Sequence, residues 1–257
     1  MTLVATTSWD RARLLTLQRP QARNALSTEL LAELLDAIGD AAGRQGVRAI
    51  VLAGEGGSFS AGADVHEPLD HAGRVRWMEL FTAVGEALAT SPVPTVAAVS
   101  GACVGGGAEL AAACDLRVAE PGASFRFPGA ARGYPVGAAK LVGLVGLGTA
   151  KDLVLTGRTV EVDEALRLGL VQRVAGEEGA VLGLARTVAD EIAAGQPEAI
   201  HHLRRQLATY SGAPDRVAAE HDLLRALTEA GGDYDAIGGV EGRGGAGGFA
   251  AGNWVRR

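Results

Sequence analysis

The segment "VSGACVGGGAEL", residues 99–110, sets three consecutive glycines directly ahead of a carboxylate, Glu109. Glycine loses more backbone freedom on folding than any other residue, so such a run implies a conformation or a close approach that side chains would forbid. "TVAAVSG" (95–101) reads as a buried strand and "GGGAELAAAC" as the helix that follows, which places the glycines at a strand-to-helix turn. There, backbone N–H groups point outward and the helix dipole favours negative charge. Glu109 follows Gly106 by three residues. Its side chain therefore lies on the same face and leans back toward the helix N-terminus. An N–H donor and a carboxylate converge on one small volume. Chemistry that builds charge on a carbonyl oxygen while a neighbouring carbon exchanges a proton needs that pair. An oxyanion hole wants a second N–H, and "FSAGAD" (59–64), after the preceding strand, offers one. The spacing by itself leaves a purely structural turn open.

The same alternation runs along the first half of the chain. "RARLLTLQ" (11–18) pairs with residues 3–8 across a turn at Trp9-Asp10. "STELLAELLDAIGDAAG" sets Leu30, Leu31, Leu34, Leu35 and Ile38 on one helical face, with Ser27 as N-cap. "RAIVLAG" (48–54) and "DLRVAE" (115–120) read as buried strands, and a helix over 73–89 ends at "SPVP". Strand and helix in turn predict a layered α/β domain. After about residue 138, segments 138–156, 162–168, 178–195, 197–211 and 214–230 read as helices, with "LVQRV" as the one strand. Their apolar faces need covering, by the core or by another subunit. The chain closes on a glycine-rich, low-complexity stretch, and no internal repeat is visible.

Composition narrows the function. A net charge of −6 without a Lys/Arg stripe argues against nucleic acid. No apolar segment approaches the ~20 residues that a membrane span needs. Cys103 and Cys114, the two cysteines, suggest buried thiols in a reducing compartment. Without a basic and then apolar N-terminal pattern, a cytoplasmic protein is expected. The five histidines form no metal-ligand cluster, no GxSxG elbow occurs, and "GVEGRGG" and "GLVGLG" lack the strand and helix of a dinucleotide site.

"RPQARNALS" (19–27), "FSAGAD" (59–64), "PVPTVAAVSGACVGGGAELAAACDLRVA" (92–119) and "TGRTVEVDEALRLGLVQRV" (156–174), in order and correctly spaced, resemble the crotonase superfamily of enoyl-CoA hydratases and isomerases. The resemblance implies an α/β fold, a spiral of ββα units with a C-terminal helical trimerisation region. It divides the chain into a core at 1–195 and an oligomerisation region at 196–257, assembled as a homotrimer or a dimer of trimers. The substrate it implies is an acyl-CoA thioester, with coenzyme A as part of the substrate and no separate cofactor. Ala63 and Gly106 match the two backbone donors to the thioester oxygen, and Glu109 matches a catalytic glutamate. Ala61, Asp64 and Val65 would follow the coenzyme A path, with Gly105 beside the donor loop. Arg23 matches a basic position near the nucleotide, and His66 stands where many members carry lysine.

Hydratases of that family carry a second glutamate twenty residues after the first, following a proline. Here Pro128 is followed by Gly129. One carboxylate cannot both activate water and manage the proton at carbon as a pair does. Three outcomes stay open: hydration by Glu109 alone or aided by Tyr134 or Arg132; an enolate reaction without water, such as isomerisation, decarboxylation or carbon–carbon cleavage; or acyl-CoA binding without turnover. A related peptidase architecture is disfavoured, because no Ser/His arrangement accompanies the glycine turn. Members also close the adenine site with a C-terminal helix, whereas this chain has glycines followed by Phe249, Trp254, Arg256 and Arg257.

Overall fold

The computed structural model describes residues 2–232; the tail with Phe249, Trp254, Arg256 and Arg257 lies outside them. The chain begins with the expected hairpin, β1 (Val4–Trp9) antiparallel to β2 (Ala12–Leu17), with Trp9 opposite Ala12. Helix α1 (Thr28–Gly43) starts where Ser27 Oγ accepts the Leu30 N–H. It buries Leu30, Leu31, Leu34 and Ile38 and leaves Leu35 half-buried.

From there one three-part unit recurs: a strand, a short strand and a helix. β3 (Ala49–Gly54), β4 (Ser58–Ser60) and α2 (His71–Thr90) form the first. β5 (Thr95–Val99), β6 (Ala102–Val104) and α3 (Gly106–Ala113) form the second. β7 (Leu116–Ala119), β8 (Ser124–Arg126) and α4 (Ala138–Thr156) form the third. β9 (Thr159–Glu161), α5 (Val162–Arg167), β10 (Arg173–Val174), α6 (Val181–Ala193), α7 (Pro197–Ser211) and α8 (Ala213–Glu229) follow. The first strand of each unit joins a large sheet, ordered β1-β2-β3-β5-β7-β10, and the second joins a small one, β4-β6-β8-β9. Every large-sheet pair beyond the hairpin is parallel, as crossover connections demand.

The large sheet is covered on both faces, which is why its strands read as nearly unbroken apolar runs. Leu15, Leu17, Ile50, Leu52, Ala97 and Val99 pack with residues of α1, α2 and α3. Their alternates Leu14, Val51, Val96 and Val118 pack against Val181, Ala185 and Val188 of α6. α8 packs on α2 and α4, while α7 buries no residue and exposes Leu203, Leu207 and Tyr210. Among the described residues no helix is long and apolar enough to cross a membrane.

Two expectations are corrected. β9 is a strand within the stretch expected to be helical apart from "LVQRV", because a three-residue strand carries too little period to be seen. α4 is kinked rather than continuous, since Gly146 takes φ 78, ψ 161, outside any helix.

Candidate active site

The small sheet decides where the site lies. β4, β6 and β8 are parallel neighbours, so the chain leaves all three toward the same edge. The departing loops carry Ala61–Asp64, Gly105–Gly106 and Pro128–Gly129, and with residues of α2 they enclose a cavity of about 540 Å³. Every residue expected at the site except Arg23 contributes to its wall. Arg23 is exposed, with φ 50, and serves the loop through its carbonyl, which accepts the Ala61 N–H at 2.9 Å. Its neighbour Asn24, fully buried, donates to the carbonyls of Glu55 and Ser58, and Ser60 Oγ donates to the Asn24 carbonyl. The "RNALS" segment thus anchors β4 and the loop beyond it.

The two backbone donors follow from local geometry. Leu26 bridges Ala63 in parallel fashion: its N–H donates to Gly62 O at 2.8 Å and its carbonyl accepts from Asp64 N at 3.1 Å. The peptide groups flanking Ala63 are consumed there, so the Ala63 N–H faces the other way. The Gly106 N–H opens α3 and has no carbonyl one turn earlier in the helix to bond. A methyl group placed on Gly106 would come within 3.7 Å of Ala63 N. The glycine run is explained at two positions. Gly105 has φ 52, ψ −122, closed to ordinary side chains. A Cβ on Gly107 would lie 2.6 Å from the Ser60 carbonyl oxygen, so α3 can rest on β4 only through a glycine.

Glu109 is 3% exposed, yet its carboxyl group belongs to the cavity wall. Its Oε2 accepts from Lys140 Nζ at 3.2 Å. Its Oε1 lies against Gly137, where a Cβ would stand 2.6 Å away. Burial raises the Glu109 carboxyl above the ordinary range; Lys140 pulls it back and Glu220 pushes it further up. Asp64 and Glu67 also line the cavity, but both are committed. Asp64 pairs with Arg19 at 2.8 Å and accepts the His66 N–H; burial would raise its carboxyl, and these contacts hold it below the usual value. Glu67 accepts the Thr28 N–H at the start of α1. Of the three cavity carboxylates, Glu109 is paired with a lysine behind the wall, whereas Asp64 and Glu67 hold the loop and the start of α1.

Apolar residues finish the wall. Trp77 and Phe81 of α2 stack with centroids 5.1 Å apart, and Trp77 Nε1 donates to the Leu26 carbonyl. Tyr134 is half-buried beside them; burial raises its phenol, against the opposing charge of Arg74, and keeps it neutral.

A family model described as "Enoyl-CoA hydratase/isomerase" matches residues 12–235. The chain belongs to the enoyl-CoA hydratase/isomerase family. The short-chain-enoyl-CoA hydratase of Clostridium acetobutylicum is 36% identical over 197 residues, covering 74% of this chain and 75% of that one. An enoyl-CoA hydratase/isomerase from Xanthobacter autotrophicus Py2 superposes with TM-score 0.82 at 28% identity, covering 92% and 90%. The enoyl-CoA hydratase of Bacillus anthracis superposes with TM-score 0.77 at 26% identity, covering 86% and 90%. The fold is crotonase-like, and the function is of the hydratase/isomerase kind.

Sequence reasoning missed three parts of the candidate site and its surroundings. The aromatic wall of α2 comes from a helix whose register toward the cavity no local pattern announces. The Arg19–Asp64 pair joins residues from two separate loops. Lys140 did leave a signal, as a lone charge in the apolar run "VGAAKLVGLVG".

Proposed function

We propose that this chain binds an acyl-CoA thioester and moves a proton along its acyl chain, with Glu109 as the acid/base and the N–H groups of Ala63 and Gly106 as the oxyanion hole. One observation carries the reading: a buried carboxylate, Glu109, and two outward N–H groups share one largely apolar cavity. Glu109 takes a proton from a carbon near the thioester. The C–H electron pair moves toward the carbonyl, whose oxygen gains the charge that the two donors accept. Glu109 then returns the proton to a different carbon of the same chain, the double bond shifts, and the enzyme is restored without a cofactor.

Water addition is the second reading, favoured by the hydratase named among the relatives. Incubating the protein with crotonyl-CoA and with trans-3-hexenoyl-CoA in deuterated water separates the two by mass spectrometry. Deuterium exchange with double-bond migration is expected. Gain of a whole D2O without exchange in the isomerised product would favour hydration instead, and inert binding of both esters would overturn the catalytic reading.

The apolar residues exposed on α7 support assembly into a homotrimer or a dimer of trimers. Light scattering is expected to give a mass in multiples of three chains; a monomer at micromolar concentration would refute this. A cytoplasmic setting goes with the two buried free thiols.

A further inference from the structure

Lys140 breaks two local rules at once. It places an ammonium in the first turn of α4, where the helix dipole disfavours a cation. Its side chain is also only 10% exposed, in a segment otherwise built of small and apolar residues. Its partners account for it. Nζ lies 3.2 Å from Glu109 Oε2 and 3.7 Å from Glu220 Oε1. Glu220 comes from α8 and also accepts the Ala139 N–H with Oε2 at 3.0 Å. The tie between α4 and α8 is therefore made without Lys140, by Glu220 and by Arg216, whose Nε donates to the Ala139 carbonyl. An apolar residue at position 140 would fill the same place at less desolvation cost. What the ammonium adds is a bridge that joins Glu109 to Glu220.

We propose that Lys140 is a positioning residue that keeps Glu109 ionised and oriented in its buried setting, so that the cycle begins with Glu109 as the base, and that Glu220 tempers this hold by competing for the same ammonium. The proposal rests on the catalytic reading of Glu109 given above. The other titratable groups nearby do not supply the charge. Cys103 of β6 is a buried thiol pushed further toward its neutral form by burial. Arg216 is turned to the Ala139 carbonyl and Ser211. The His221 imidazole is held down by burial, by Lys140 itself and by Arg225, against Glu220 and Glu86 of α2. For Lys140, burial favours the neutral amine, but Glu109 and Glu220 outweigh it and keep the cation.

The sign of each perturbation is fixed by charge. Removing Lys140 removes the influence that lowers the Glu109 carboxyl; removing the Glu220 charge removes one that raises it. The test is a pH titration followed by infrared difference spectroscopy, in which the protonated Glu109 band is identified by its disappearance in Glu109→Gln. Lys140→Met is expected to move the midpoint up by about 1 pH unit or more. Glu220→Gln is expected to move it down, while its amide oxygen still accepts the Ala139 N–H. The acidic limb of the kcat/KM profile should move with each. Shifts of opposite sign are not produced by a merely structural role. If Lys140→Met does not fold, Glu220→Gln decides alone: a midpoint that stays or rises overturns the proposal, as do shifts of the same sign in both variants. The titration reads the charge on Glu109 whether or not turnover is found. Full activity in Glu109→Gln would instead sink the catalytic reading and leave the titration standing.

Discussion

Replacing Glu109 with glutamine is expected to lower turnover by about 100-fold or more while leaving thioester affinity nearly unchanged. The amide keeps the volume and the place against Gly137 but can neither take a proton from carbon nor return one. The apolar wall of Trp77 and Phe81 and the two backbone donors are untouched, so the acyl group and the thioester oxygen keep their contacts. Steady-state kinetics together with calorimetric binding of a non-reactive CoA thioester check both halves. Unaltered turnover would remove Glu109 from the chemistry. An affinity loss as large as the turnover loss would make it a binding group.

Placing a glutamate at position 129 is expected to fail as a route to water addition and to cost about 1–3 kcal/mol of stability through overpacking. The backbone is not the obstacle, since Gly129 has φ −54, ψ −49, open to any residue. The space is. A Cβ there would lie 2.6 Å from the Tyr134 carbonyl oxygen and 2.8 Å from Val136 Cγ2. The loop is folded onto itself at this point: the N–H groups of Arg132 and Tyr134 both donate to the Gly129 carbonyl, and Val136 N–H donates to that of Tyr134. A side chain at 129 can enter only if the turn opens, which would disturb Tyr134 and Val136 in the cavity wall. Denaturant unfolding and an assay of crotonyl-CoA hydration measure the two effects. A Gly129→Glu variant as stable as the parent and able to add water would show that the loop yields readily.

What could be read from the sequence follows from where the deciding interactions lie along the chain. The hairpin, α1 and the buried strands β3, β5 and β7 are set by local period and caps, and Ser27 and the "RAIVLAG" run announce them. The Gly106–Glu109 pair is equally local, one turn of one helix. The strands of the small sheet are three residues each. They exist because neighbours pair with them, which no window along the chain can see. Lys140 and Glu220 are eighty residues apart in sequence and meet only through the packing of α8 on α4. The closed space at Gly129 has no sequence signal either, because it is a property of the turn that folds over it.

The placement of α8 also has a consequence for how the chain comes of age during synthesis. Thr228 lines the cavity, and Glu220 shares Lys140 with the buried Glu109. Thr228 is synthesised long after the rest of the cavity lining, so this wall closes only once α8 has been made.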